Sequence, residues 1–270
     1  MLDSGTLKHY IDELSVTGLT SNPTIFKHAI KNSTAYDSAI RQKFLIKIPG
    51  TKEGLPGIEE AIFAGIPINF TLLLSTAQYL AAAEAFLKGI ERRIEAGLNP
   101  NVSSVASVFV SRWDAAVSSK VPRKLNNKLG IAVAMATYKA ARSLLSSPRW
   151  HRIYNAGAYS QQLSWASTGT KDPTAPDVLY DKALAAPFTV NTMPEATVKA
   201  LANQKGLGSI LPADGGDCEE VLSQFAEAGI SVDALAAQLQ DEGAKSFVKS
   251  WEELMSRIAS KSAMFRKAAG

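Results

Sequence analysis

Most of the residues on which enzyme chemistries are commonly built are scarce in this chain of 270 residues. It has one cysteine, Cys218, so no disulfide framework can form within it. A lone cysteine with no histidine nearby reads as a small packed side chain and not as a nucleophile. The three histidines, His9, His28 and His151, are scattered, and none has a metal-ligand spacing. No apolar run reaches the roughly 18 residues of a membrane span, and no signal peptide opens the chain. The expected setting is therefore cytoplasmic, with no membrane partner. Charge of one sign is scarce too. The net charge is +4, the charges are mixed, and no Lys/Arg run stands out, which speaks against a nucleic-acid partner.

Motifs are missing as well. Gly206-Leu-Gly-Ser-Ile-Leu211 begins like a dinucleotide-binding loop but has leucine where the third glycine belongs. There is no GxSxG elbow for a serine hydrolase. Histidine or carboxylate clusters at strand ends, which metal-assisted aldol chemistry would use, are absent, so no cofactor is expected. Lysine-based carbonyl chemistry is what remains.

What the chain does have is 46% hydrophobic residues in an alternating pattern. Apolar runs of strand length lie at 16–21, 43–51, 66–75, 102–110, 163–167 and 188–192. Helical periodicities separate them at 25–41, 57–64, 76–96, 125–145 and 175–185, after an opening helix over 4–14. From 195 to 270 the chain reads as largely helical, with helices at 218–228, 232–239 and 243–258. Strands alternating with helices mean βαβ units and a parallel sheet. An α/β fold in a single domain over 1–270 is expected, and a barrel of about 250 residues fits this length.

Lys43-Phe-Leu-Ile-Lys-Ile-Pro-Gly-Thr51 reads as a buried strand with one ammonium in it. Alternation puts Phe44, Ile46 and Ile48 on one face and Leu45 with Lys47 on the other. Desolvation lowers a lysine's pKa, and a neutral amine can attack a carbonyl to form a Schiff base. Taken alone, the stretch favours a lysine that snorkels to water from a strand end. Its company reverses that reading. Each expected strand carries polar residues near its C-terminal end, where a βα barrel gathers its active site: Thr20 and Asn22, Lys47, Asn69 and Thr71, Ser107 and Arg112, Ser167 and Lys171, Asn191. Asn69, Thr71 and Ser107 stand inside apolar runs, where local turn preference does not account for them. Arg112 and Lys171 are cations past strand ends, where a phosphate could dock. The bland reading of Arg112 pairs it with Asp114.

Five stretches in order, Thr20-Ser-Asn-Pro-Thr-Ile-Phe26, Ile46-Lys-Ile-Pro-Gly-Thr51, Ile68-Asn-Phe-Thr-Leu-Leu-Leu-Ser75, Ser107-Val-Phe-Val-Ser-Arg112 and Trp165-Ala-Ser-Thr-Gly-Thr-Lys171, resemble the transaldolase family. They are most similar to its longer bacterial branch, sometimes fused to phosphoglucose isomerase. The resemblance implies a class I aldolase-type (β/α)8 barrel. Such an enzyme moves a dihydroxyacetone unit from fructose 6-phosphate or sedoheptulose 7-phosphate to an aldose phosphate, such as erythrose 4-phosphate or glyceraldehyde 3-phosphate, in the pentose phosphate pathway. It makes Lys47 the Schiff-base lysine. Asn22 and Asn69 would bind the dihydroxyacetone hydroxyls, and Thr71 would hold the catalytic water. Ser107 would bind substrate, with Phe109 walling the pocket. Arg112 and Ser167 would take the phosphate, and Lys171 stands where other branches offer an arginine.

Two elements of the family pattern are missing. Members carry a proton-transferring aspartate on the first strand and a glutamate on the third, and a long further passage between the positions of Gln42 and Lys43. Asp3 falls past the first strand and does not match that aspartate. Adding two strands would turn six into eight, so a discontinuity at Gln42–Lys43 is expected. Three readings remain open at this point: an active transaldolase, a truncated relic that binds sugar phosphates without turnover, and an aldolase that releases free dihydroxyacetone.

Overall fold

The computed structural model describes residues 6–17, 45–206 and 208–268. These fall into two compact units. One is the continuous stretch 45–240, and the other joins the residues before it to those after it.

The continuous unit is an α/β layer structure. Five parallel strands, β1 (Ile46–Pro49), β2 (Ile68–Leu73), β3 (Ser104–Phe109), β4 (Gln162–Ala166) and β5 (Thr189–Asn191), lie in the sheet in chain order. Between them run α2 (Gly54–Phe63), α3 (Thr76–Glu95), α4 (Ser111–Val117), α5 (Leu129–Leu145), α6 (Pro148–Asn155) and α7 (Leu179–Ala183). After the sheet come α8 (Glu195–Ala202), α9 (Cys218–Glu227) and α10 (Val232–Ala268), the last belonging to this unit as far as Gln240. Strand order equal to chain order, with every pairing parallel, is what repeated βα units give.

Local chemistry sets the boundaries. Ser75 caps α3 in a reciprocal box: its hydroxyl accepts from Gln78 N, and the Gln78 amide oxygen accepts from Ser75 N. The helix ends where expected, before Gly97, whose φ of +67° suits glycine. Sequence periodicity marks no helix at 148–155. Yet Ser147 accepts from Trp150 N and Pro148 occupies the first turn, a start signal in its own right.

The core lies on one face of the sheet. Ile68, Phe70, Ala106, Val108, Leu163 and Trp165 pack there with Ile58 and Ile62 of α2, Phe86 and Ile90 of α3 and Tyr138 of α5. Lone Cys218 is fully buried, and burial raises its thiol pKa, in keeping with a packed side chain. The Lys47 strand is less covered than expected. Ile46 is 52% exposed, because β1 opens at the edge of the described sheet and is paired on one side only.

In the other unit, α1 (Thr6–Leu14) buries Tyr10. Val16 does not begin a strand. Its N–H donates to Tyr10 O at 3.1 Å and closes the helix end. The rest of the strand expected at 16–21, the helix expected at 25–41 and the Gln42–Lys43 junction lie outside the described residues. Gly243 does not interrupt α10, which runs on where two helices were expected. A glycine weakens a helix by only about 1 kcal/mol, which good helix formers on either side can absorb.

At Gly89 helices α2 and α3 come close. A Cβ there would sit 2.8 Å from Ile62 Cβ and 2.9 Å from Glu59 O. Alanine normally strengthens a helix by about 1 kcal/mol over glycine. Here Gly89→Ala is expected to lower stability by about 1–3 kcal/mol through overpacking. Urea unfolding checks this, and a raised midpoint would show that the helices separate freely.

Candidate active site

The sheet face opposite the core carries the polar residues. Alternation gives Ile48, Phe70, Val108 and Trp165 to the core side. Lys47, Asn69, Thr71, Ser107, Phe109 and Ser164 therefore share the other side. Parallel register aligns them: Lys47 is level with Asn69, and Ser107 with Ser164. Ser107 Oγ donates to Asn69 Oδ1 at 2.7 Å, which joins β3 to β2 beside the lysine strand. Lys47 is half-buried, and the loss of surrounding water holds its ammonium below the ordinary lysine range.

Strand β2 departs from simple alternation near its end. Leu72 takes a left-handed φ of +59°, and the pairing with β3 shifts register between Phe70 and Leu73. Leu72, Leu73 and Leu74 are consequently all buried, whereas strict alternation would part Leu73 from its two neighbours. The Gln240 amide holds the kink, donating to Leu72 O at 2.9 Å and Gly50 O at 3.1 Å. A β-branched or bulky residue at positive φ stores strain, and such strain clusters at functional sites. Thr71, just before the kink, buries a hydroxyl with no hydrogen-bond partner.

The strand ends are drawn together above this row. Val110 N donates to Ala166 O at 3.0 Å and Ser111 N to Ser167 O at 2.9 Å, so β3 and β4 stay zipped past their last ladder residues. Ser111 Oγ and Ser167 Oγ lie 3.1 Å apart, and Ser167 too has positive φ, +56°. Arg112, half-buried in the first turn of α4, lays its guanidinium 4.9 Å from the Phe109 ring centroid. Lys171 is exposed in the loop after β4. The carboxylate of Asp114 accepts from Leu129 N at 2.9 Å, Gly130 N at 3.3 Å and Tyr180 Oη at 2.9 Å. Asp114 thus serves the start of α5, a task that the bland pairing with Arg112 does not include.

Of the residues singled out from sequence, Lys47, Asn69, Thr71, Ser107 and Phe109 share one sheet face, and Arg112 and Ser167 stand at the ends of its strands. Asn22 lies outside the described residues. Asn191 is level with Trp165 on the core side, where it donates to Asp181 Oδ1 at 2.8 Å and accepts from Thr168 Oγ1 at 3.1 Å. Ser164 joins this face without being singled out by the sequence pattern above. It is a buried hydroxyl with no partner, inside an apolar run, and the criterion that marks Ser107 marks it equally. No group of three or more His, Cys, Asp or Glu able to hold a metal occurs among the described residues.

The profile of the transaldolase/fructose-6-phosphate aldolase family matches residues 38–258, most of the chain and all five strands. The chain belongs to this family. A transaldolase from Thermobifida fusca is 33% identical, over 96% of this chain and 92% of its own length. One from Parafrankia sp. is 40% identical over 82% of the chain and 62% of its own length. One from Neisseria meningitidis serogroup A is 38% identical over 79% of the chain and 61% of its own. The Thermobifida alignment runs over 337 positions, 67 more than the chain's 270 residues, so at least that many have no counterpart here.

Burial sets a pH dependence at Asp114. It raises the carboxyl from the usual 3.8 to about 6, against the lowering pull of its three hydrogen bonds. Between those values the folded chain binds more protons than the unfolded one. The stability that this group contributes is full below about pH 4 and is lost as pH rises through 6. Relative to Asp114→Asn, the native chain should lose about 2–3 kcal/mol of stability from pH 4 to pH 7. Urea titrations at each pH measure it, and a difference constant with pH would show that the carboxyl ionises as it does in water.

Proposed function

We propose that this transaldolase-family enzyme transfers a dihydroxyacetone unit between sugar phosphates through a Schiff base on Lys47. The observation that supports it most is the placement of a half-dry amine level with Asn69, itself hydrogen-bonded to Ser107. In water a lysine is protonated and inert at neutral pH; desolvation makes the neutral amine accessible. Its nitrogen attacks the C2 carbonyl of a ketose phosphate such as fructose 6-phosphate or sedoheptulose 7-phosphate. The carbinolamine loses water to give the imine. The C3–C4 bond then breaks, its electron pair moves into the iminium as an enamine, and the C4 hydroxyl gives up its proton as the aldose phosphate leaves. An incoming aldose phosphate, erythrose 4-phosphate or glyceraldehyde 3-phosphate, runs the steps in reverse.

Roles follow from position. Asn69 and Ser107 take the hydroxyls of the three-carbon unit, and Asn22 joins them on the family pattern. The unpartnered hydroxyl of Thr71 suits a water that carries protons during carbinolamine formation and loss. Phe109 walls the pocket. Arg112 and Ser167, at the adjacent ends of β3 and β4, take the phosphate, and Lys171 adds a further cation. We read the five consecutive parallel strands as part of an eight-stranded barrel. No helix among the described residues is long and apolar enough to cross a membrane, and we place the enzyme in the cytoplasm.

Borohydride with fructose 6-phosphate should add a reduced three-carbon adduct to the peptide holding Lys47, seen by mass spectrometry. An adduct on another lysine, or none, would falsify the assignment. Lys47→Arg should abolish transfer, since a guanidinium stays protonated. The five strands carry no Asp or Glu, and the 67 further positions of the Thermobifida alignment favour a second reading, an imine-forming relic. A Lys47 adduct without transfer to glyceraldehyde 3-phosphate would decide for it, and release of free dihydroxyacetone would decide for an aldolase.

Arg112→Ala is expected to raise KM for glyceraldehyde 3-phosphate by one to two orders of magnitude, the worth of a charge-assisted pair, while unphosphorylated glyceraldehyde is little affected. Equal losses on both would give Arg112 a structural role.

A further inference from the structure

Asp114 reaches no member of the polar row, yet it is a buried carboxylate near the end of β3 that accepts three hydrogen bonds. It lies two residues after Arg112 on α4 and is 4% exposed. One oxygen accepts from Leu129 N; the other accepts from Gly130 N and Tyr180 Oη. Those partners belong to the N-terminus of α5 and to α7. Two residues before Leu129, Asn127 holds a left-handed φ of +61° and donates from Nδ2 to Asp172 Oδ2 at 2.8 Å. Asp172 is the neighbour of Lys171, and its other oxygen accepts from Thr174 N and Oγ1. α4 is fixed on its other side by Trp113, whose Nε1 donates to Leu74 O at 3.1 Å.

The connections close into a ring. It passes from the Arg112 helix through Asp114 to the start of α5, through Asn127 and Asp172 to the Lys171 loop, and through Tyr180 back to Asp114. A buried carboxylate is costly unless its oxygens are occupied, so opening the ring at Asp114 is unfavourable. Gly130 makes the close approach possible: a Cβ there would stand 2.4 Å from Val110 O and 2.8 Å from Asp114 Oδ2. Val110 is one of the two residues through which β3 stays joined to β4 past their ladder.

The geometry points to Asp114 as the positioning residue of the phosphate site: it locks Arg112 and the Lys171 loop into one unit, with Asn127 as the second tie. This rests on the reading of Arg112 as a phosphate ligand. A misplacement of about 1 Å far from the reacting atoms can cost up to about a hundredfold, so a loosened unit should weaken phosphate recognition and spare the amine chemistry.

The test compares glyceraldehyde 3-phosphate with glyceraldehyde as acceptor, in the native enzyme, Arg112→Ala, Asp114→Asn, Gly130→Ala and Asn127→Gly. Asn127→Gly removes the tie to Asp172 while glycine accepts the positive φ, so it keeps the test open if the buried substitutions do not fold. Circular dichroism confirms folding before each assay. Expected in Asp114→Asn, Gly130→Ala and Asn127→Gly is a KM for the phosphorylated acceptor raised about five- to fiftyfold, with kcat within about twofold and glyceraldehyde unchanged. If Arg112→Ala shows that selective loss and the folded Asp114, Gly130 and Asn127 variants do not, the positioning role is overturned while the phosphate reading stands. If Arg112→Ala shows no selectivity, both fall. Equal loss on both acceptors in the three ring variants marks a purely structural ring and overturns the role.

Discussion

A lysine that reacts as an amine must give up part of its hydration, and that loss is tolerated only where the surrounding fold compensates for it. Lys47 meets this condition on a short strand whose other face leans on the core through Ile48. Because β1 to β5 are parallel and paired in chain order, side chains at matching depth on neighbouring strands fall on one face. The polar row is a consequence of that register. Ser107 donates to the Asn69 oxygen, while Thr71 and Ser164 keep buried hydroxyls without partners. Unsatisfied groups of this kind are rare in folded proteins and collect where a ligand or water belongs.

The second constraint is where the sheet ends. Past the last ladder residues, β3 and β4 stay joined by backbone bonds and by a pair of serine hydroxyls. Two residues at positive φ, Leu72 and Ser167, stand at this rim. Strained backbone persists only when its surroundings over-determine it. Gln240 does so for Leu72 by tying its carbonyl to that of Gly50, and the bonds from Ser111 do so for Ser167.

The same chain shows how unevenly a site can be read from its sequence. Asn69, Thr71 and Ser107 were legible because a polar side chain in an apolar run demands a reason, and each does lie on the lysine's side of the sheet. Ser164 meets the same criterion less visibly, since Leu163-Ser-Trp-Ala is a shorter run with less contrast. Asp114 reads in sequence only as a candidate partner of Arg112, and its actual role is out of reach there. Its partners, Leu129, Gly130 and Tyr180, are 15 to 66 residues away. Asn191 shows the reverse error, for its strand-end position suggests the site while its register puts it among the helices.

By itself the sequence determined the α/β class, the alternation of strands and helices, the candidate lysine and the family pattern, because these rest on periodicity and on short, ordered motifs. The stop of α3 before Gly97 was local and therefore readable. Tertiary structure alone decided the register that sets Lys47 beside Asn69, the kink at Leu72 and the union of α4 with α5 through Asp114. The physical reason is common to them all. Each depends on groups distant in sequence meeting at hydrogen-bond or packing distance, and neither composition nor periodicity carries that information.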